Sequence, residues 1–157
     1  MTAFANILVP FDGSDAARRA LDAAVAVADN GATITILQAA SQPAVADPTT
    51  VVAERMAGVV RSESEMKQEV AQYWENIDES LDRVAKEASD GSDKNLTMQC
   101  VVKEGGNPAA IITEYAKCNA MDIIVMGRRG LGSVRAAFGS VSQRVAHETD
   151  LPILLVK

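Results

Sequence analysis

At 157 residues and 16.6 kDa, the chain has the length of one domain, and a single domain over residues 1–157 is the expectation. Hydrophobic residues make up 48% and aromatic residues only 4%, so the core must be built from Ala, Val, Ile and Leu. A net charge of -6 and a pI near 4.8 argue against nucleic acid as a partner, since a phosphate backbone wants a basic face.

Residues 6–10, Asn-Ile-Leu-Val-Pro, form a short apolar strand that breaks at Pro10-Phe11-Asp12-Gly13-Ser14. Ser14 suits the N-cap of a following helix, and Asp15 suits its first turn. Ala17, Ala20, Leu21, Ala24, Val25 and Ala28 give that helix an apolar stripe, and Asn30-Gly31 reads as its stop. Residues 32–37 are a second strand, which completes a right-handed βαβ unit. Pro43 and Pro48 break the loop that follows.

Residues 49–60 and 64–88 carry helical patterns. The second has Met66, Val70, Tyr73, Trp74, Ile77, Leu81 and Val84 on one stripe, and Tyr73 and Trp74 read as core or interface anchors. The polar turn over residues 89–95 lacks the carboxylate spacing of a calcium loop. Residues 96–102 are a third strand. Asn107 and Pro108 then stand as N-cap and first residue of a helix ending near Cys118. Residues 122–126 are a fourth strand, residues 139–147 a helix with His147 as a C-terminal charge, and Ile153–Val156 a fifth strand.

Between the fourth strand and that last helix stand Gly127, Arg128, Arg129, Gly130 and Gly132, then Gly139-Ser140. Glycines let a backbone approach an anion closely. A helix start aims free N–H groups and a partial positive charge at it, and the two arginines add full charges. The pattern is that of a phosphate cradle, set against the alternatives of a structural glycine turn and of simply solvated arginines. No Gly-x-x-x-x-Gly-Lys-Ser/Thr loop is present, nor a lysine or base placed for phosphoryl transfer, so binding with little or no turnover is expected.

Five strands alternating with helices predict an α/β fold with an open, doubly wound, parallel five-stranded sheet. Ligands of such sheets lie beyond the carboxyl ends of the strands, which puts Asp12 and Gly127 side by side. Cys100 and Cys118 lack metal-ligand or redox spacing and suit reduced thiols in a cytoplasmic protein. The first residues lack the charged n-region of a signal peptide, and no run approaches the roughly 20 apolar residues of a membrane span. The fifth strand is short, apolar and at an edge, which predicts a homodimer formed by pairing Ile153–Val156 with its symmetry mate.

Val9-Pro-Phe-Asp12-Gly-Ser14, Gly105-Gly-Asn-Pro108, Met126-Gly-Arg-Arg-Gly130, Gly139-Ser140-Val141-Ser142 and the closing Pro152-Ile-Leu-Leu-Val-Lys157 together resemble the universal stress protein family, in family order and over essentially the whole chain. The resemblance implies a Rossmann-like, adenine nucleotide alpha-hydrolase-like sheet in the order 3-2-1-4-5, usually dimeric, acting in stress response. It implies an ATP site, or one for AMP or ADP, with Mg2+ accompanying the nucleotide. By similarity Gly127, Gly130, Gly139, Ser140 and Val141 would hold ribose and phosphates, with Met126 and Arg129 beside them. Pro10 and Asp12 would meet adenine or ribose, and Ala39 falls where the family often has a Val against adenine. Slow ATP hydrolysis or autophosphorylation at Ser140 or Ser142 is implied by similarity alone.

The family's binding pattern has nine residues between Gly130 and Gly139; here there are eight. One residue fewer turns a helix start by roughly 100 degrees unless the loop absorbs it, and Gly132 and Ser133 are permissive. This departure and the small Ala39 keep a second reading open, a stress-response dimer that binds no nucleotide and acts as an interaction protein. A third, an adenylyl transferase or flavoprotein of related fold, calls for a His-x-x-His-type signature after the first strand, and Asp12-Gly13-Ser14 has none.

Overall fold

The structure is a computed structural model that describes residues 4–131 and 138–157. Its strands are β1 (Phe4–Pro10), β2 (Ala28–Ala40), β3 (Thr97–Glu104), β4 (Ile123–Gly127) and β5 (Ile153–Val156). Its helices are α1 (Asp15–Val27), α2 (Pro48–Met56), α3 (Glu63–Asp90), α4 (Pro108–Cys118) and α5 (Ser140–Glu148). The strands form one parallel sheet in the order β3-β2-β1-β4-β5, the expected α/β topology. Gly132 and Ser133, the permissive part of the glycine loop, lie outside the described residues.

Alternation along the strands explains the layers. Ile7 and Val9 of β1 point to one face, with Ile34, Ile36, Ile123 and Val125, and are covered by Ala17, Ala20, Leu21 and Ala24 of α1 and by Leu81, Val84 and Ala85 of α3. Leu8 points to the other face, with Leu37, Ile124 and Met126, under Ala109, Ile112 and Ala116 of α4 and Val145 of α5. The alanines on α1 and α4 let the helices lie close to the sheet. Each fully buried Ile, Leu or Val contributes about 1.5–3 kcal/mol of transfer free energy.

Ser14 caps α1, its Oγ accepting the Ala17 N–H at 3.1 Å, as expected. The helix ends at Val27, however, three residues before Asn30. Lys94 supplies the reason: its Nζ donates to the carbonyls of Val25, Ala26 and Ala28, each at 2.8 Å. Ala28 already pairs with Phe4 in the sheet, and Gly31, at φ 89, donates to the Asn95 carbonyl at 2.7 Å. Asn30-Gly31 therefore shapes an irregular start of β2 rather than a helix stop.

The expected helix over residues 49–60 is shorter, Pro48–Met56, and buries no residue. Gly58, at φ 80, closes it: the Gly58 N–H donates to Arg55 O at 3.1 Å and the Val59 N–H to Glu54 O at 2.8 Å, a Schellman ending. α3 begins at a capping box in which Ser62 and Glu65 bond reciprocally, so the helix starts at Glu63, one residue before the expected 64. Tyr73 and Trp74 are half-buried and meet edge to face with ring centroids 5.1 Å apart. Among the described residues, no helix is long and apolar enough to cross a membrane.

Candidate functional site

The pairing of β1 with β4 is recorded at Ile7 with Ile123 and Leu8 with Ile124, and both strands continue beyond it. The connection after β1 leads toward β2 and the one after β4 toward β5, so the chain departs in opposite directions and a crevice is left at the carboxyl ends. A cavity of about 360 Å³ occupies that crevice.

All ten residues singled out from the sequence line it. Pro10 and Asp12 come from the end of β1 and its turn, and Ala39 from the end of β2. Met126, Gly127, Arg129 and Gly130 follow the end of β4 into the glycine loop. Gly139, Ser140 and Val141 form the start of α5. Arg128, by contrast, is not part of the lining; its guanidinium lies over the Phe138 ring, 5.8 Å from the centroid. His147 sits exposed in the last turn of α5, also away from the lining.

The sequence reading named Pro10, Ala39, Met126 and Val141 but missed the rest of the apolar wall: Phe11, Ala17, Leu37, Ile112 and Leu131, together with Pro108. Phe11, Ala17, Leu37 and Ile112 are buried with the ordinary pattern of a core, and only the assembled fold shows that one end of that core is open. Ser14 and Ser142 also reach the cavity, the first as the cap of α1, the second from within α5.

Asp12 joins two turns. Its Oδ1 accepts the Ser14 N–H at 3.0 Å and its Oδ2 accepts the Leu131 N–H at 3.3 Å. The start of α5 is arranged differently. Its N-cap is Gly139, and among the described residues no side chain caps it. The first N–H groups of a helix have no intrahelical acceptor, so this end presents open donors to the cavity. Arg129 adds a guanidinium at the same wall, and its Nε is buried with no hydrogen-bond partner among the described residues. Arranged this way, the walls offer an apolar slot at one side and anion-seeking donors at the other.

The sequence profile of the universal stress protein family matches residues 3–157. The chain belongs to the universal stress protein family. Universal stress protein YxiE of Bacillus subtilis is 31% identical over 98% of this chain and 99% of its own length. A universal stress protein of Thermus aquaticus is 33% identical with the same coverages. Among solved structures, universal stress protein UspA from Lactobacillus plantarum superposes with a TM-score of 0.72 at 24% identity, covering 100% of both chains. A universal stress protein in complex with cAMP gives 0.59 at 24% identity over 99% of this chain and 98% of its own. A family protein of Arabidopsis thaliana with AMP bound gives 0.56 at 15% identity over 96% and 90%. At these identities the structural likeness establishes the fold.

Proposed function

We propose that the crevice between β1 and β4 binds an adenine nucleotide, ATP or its ADP and AMP relatives, and that occupancy makes the chain a regulatory module in stress response. The observation that carries this reading is the convergence of β1, β2, β4 and α5 on one cavity of about 360 Å³, a size in the range of small-ligand sites. The apolar wall with Pro10 and Ala39 suits a base. The open start of α5, Arg129 and the close-approach glycines suit phosphates. Asp12 is the carboxylate on this wall that a Mg2+ ion accompanying the phosphates would meet. The cAMP and AMP complexes of relatives lend support.

The module works as a homodimer in this reading. β5 is an edge strand, paired with β4 on one side, and its residues are half-buried. Its outer N–H and C=O groups would be satisfied by a symmetry mate.

Calorimetric titration with ATP, ADP and AMP, using protein stripped of ligand in magnesium buffer, tests the site. Heat of binding is expected with the adenine nucleotides and not with inorganic buffer ions. No heat at high micromolar protein removes the nucleotide and leaves the second reading, an interaction protein. The eight-residue spacer and the small Ala39 favour that alternative. Light scattering at tens of micromolar tests the dimer, and a monomeric mass would rule it out at that concentration.

A further inference from the structure

We propose that Ser142 is a positioning residue for the phosphate end of the ligand, holding the start of α5 in place without using any of the N–H groups a phosphate needs. The inference rests on the nucleotide reading and deepens it.

A conventional N-cap of Ser, Thr, Asp or Asn accepts an N–H from the first turn and so consumes a donor. At α5 the N-cap is Gly139, which has no side chain to do so. The holding group sits three residues further on. Ser142 is 2% exposed, and its hydroxyl lies 2.8 Å from the Arg128 carbonyl and 3.0 Å from the Gly139 carbonyl. Carbonyls only accept, so the hydroxyl donates, its one proton shared between the two. The Arg128 carbonyl takes a second bond, from the Gly139 N–H at 2.8 Å. On its other side the Arg128 N–H donates to Val156 O at 2.7 Å. The peptide unit before Arg128 is thereby fixed to β5, and the one after it to the start of α5.

The consequence is geometric. The two ends of the glycine loop, Arg128 and Gly139, are clamped together through the Ser142 hydroxyl and the Gly139 N–H, both held by the Arg128 carbonyl. The amides of Ser140, Val141 and Ser142 belong to the first turn, which no helix satisfies internally, and none of them takes part in that clamp. Pre-set donors bind an anion better than donors that must first be ordered.

The test uses the full chain, with ATP and adenosine as paired probes in calorimetry. Ser142→Ala is expected to weaken ATP about tenfold, the scale of one buried hydrogen bond, while adenosine changes by less than about twofold. Ser142→Thr keeps the hydroxyl and is expected to restore ATP binding. Unchanged ATP affinity in Ser142→Ala overturns the proposal and leaves the nucleotide reading standing. Equal losses for ATP and adenosine also overturn it, since they mark a general structural role. If wild-type protein binds neither probe, both readings fall together. Should Ser142→Ala not fold, amide shifts in the wild type decide: movement of Ser140 and Val141 with ATP but not with adenosine supports the clamp, and movement with neither overturns it.

Discussion

A β-carbon placed on Gly130 would land on Oδ2 of Asp12, the same oxygen that accepts the Leu131 N–H at 3.3 Å. The glycine and the carboxylate are thus one unit, and the first turn and the glycine loop meet there.

Gly130→Ala should therefore act on the site more than on the fold. Asp12 is exposed, and its carboxylate can swing into water to make room. The stability cost should stay below about 1 kcal/mol, the worth of one exposed hydrogen bond. Binding of ATP should fall severalfold, because the loop loses its tie to β1. Urea unfolding and calorimetry on the same preparation separate the two effects, and a large loss of stability would contradict this.

Gly127→Ala should behave in the opposite way. Its β-carbon would stand 2.9 Å from Ala16 Cβ, 3.0 Å from the Ala16 carbonyl carbon and 3.1 Å from Arg129 O. Backbone crowds it from two sides and cannot swing away. Overpacking of this kind costs about 1–3 kcal/mol, which urea unfolding should read directly.

Lys94→Met should loosen the end of α1. The helix has no basic residue in its own last turn, and the three carbonyls that Nζ serves come from Val25, Ala26 and Ala28. Some of them are reached by water after the substitution, so a loss of about 1–2 kcal/mol is expected. Faster hydrogen exchange confined to the last turn of α1 and the start of β2 would identify the cause.

Ala39→Phe should fill the base end of the cavity. A benzyl group is a large part of a cavity of about 360 Å³, so adenosine and ATP should both weaken by more than about tenfold, with the unfolding midpoint little changed. Retained adenosine binding would place the base elsewhere.

Cys100 makes a prediction about pH. Burial, followed by the charge and hydrogen bond of Asp82 and the charge of Asp78, pushes its thiol up from 9.0 to about 11. A folded-state value above the unfolded one means the fold favours the neutral thiol. That contribution is complete below about pH 9 and is lost as pH rises toward about 11. Thermal midpoints should fall more steeply over this window in the wild type than in Cys100→Ala. At about pH 8, alkylation followed by mass spectrometry should label exposed Cys118 before Cys100.

Local chemistry made much of this legible. Ser14, Asn107 and the Gly139-Ser140 step mark helix starts that recur in the structure, and apolar runs mark the five strands. The error at the end of α1 came from a partner distant in sequence. Lys94 ends α1 from 66 to 69 residues away, which no window around Asn30-Gly31 can reveal. Of the candidate site, Asp12, Gly130 and the Gly139-Ser140 step were legible, because turns carry distinctive residues. Leu37 and Ile112 were not, since an apolar residue lining an opening has the same sequence pattern as one sealed inside.

Arg128 receives a hold from the outermost strand through Val156 and passes one to α5 through Ser142. Mechanical load on the rim of the sheet, from a neighbouring strand or a tethered sequence, would thus be delivered to the mouth of the crevice across a single residue. In the nucleotide reading, nothing at the end of the chain would have to touch the ligand to alter how firmly it is gripped.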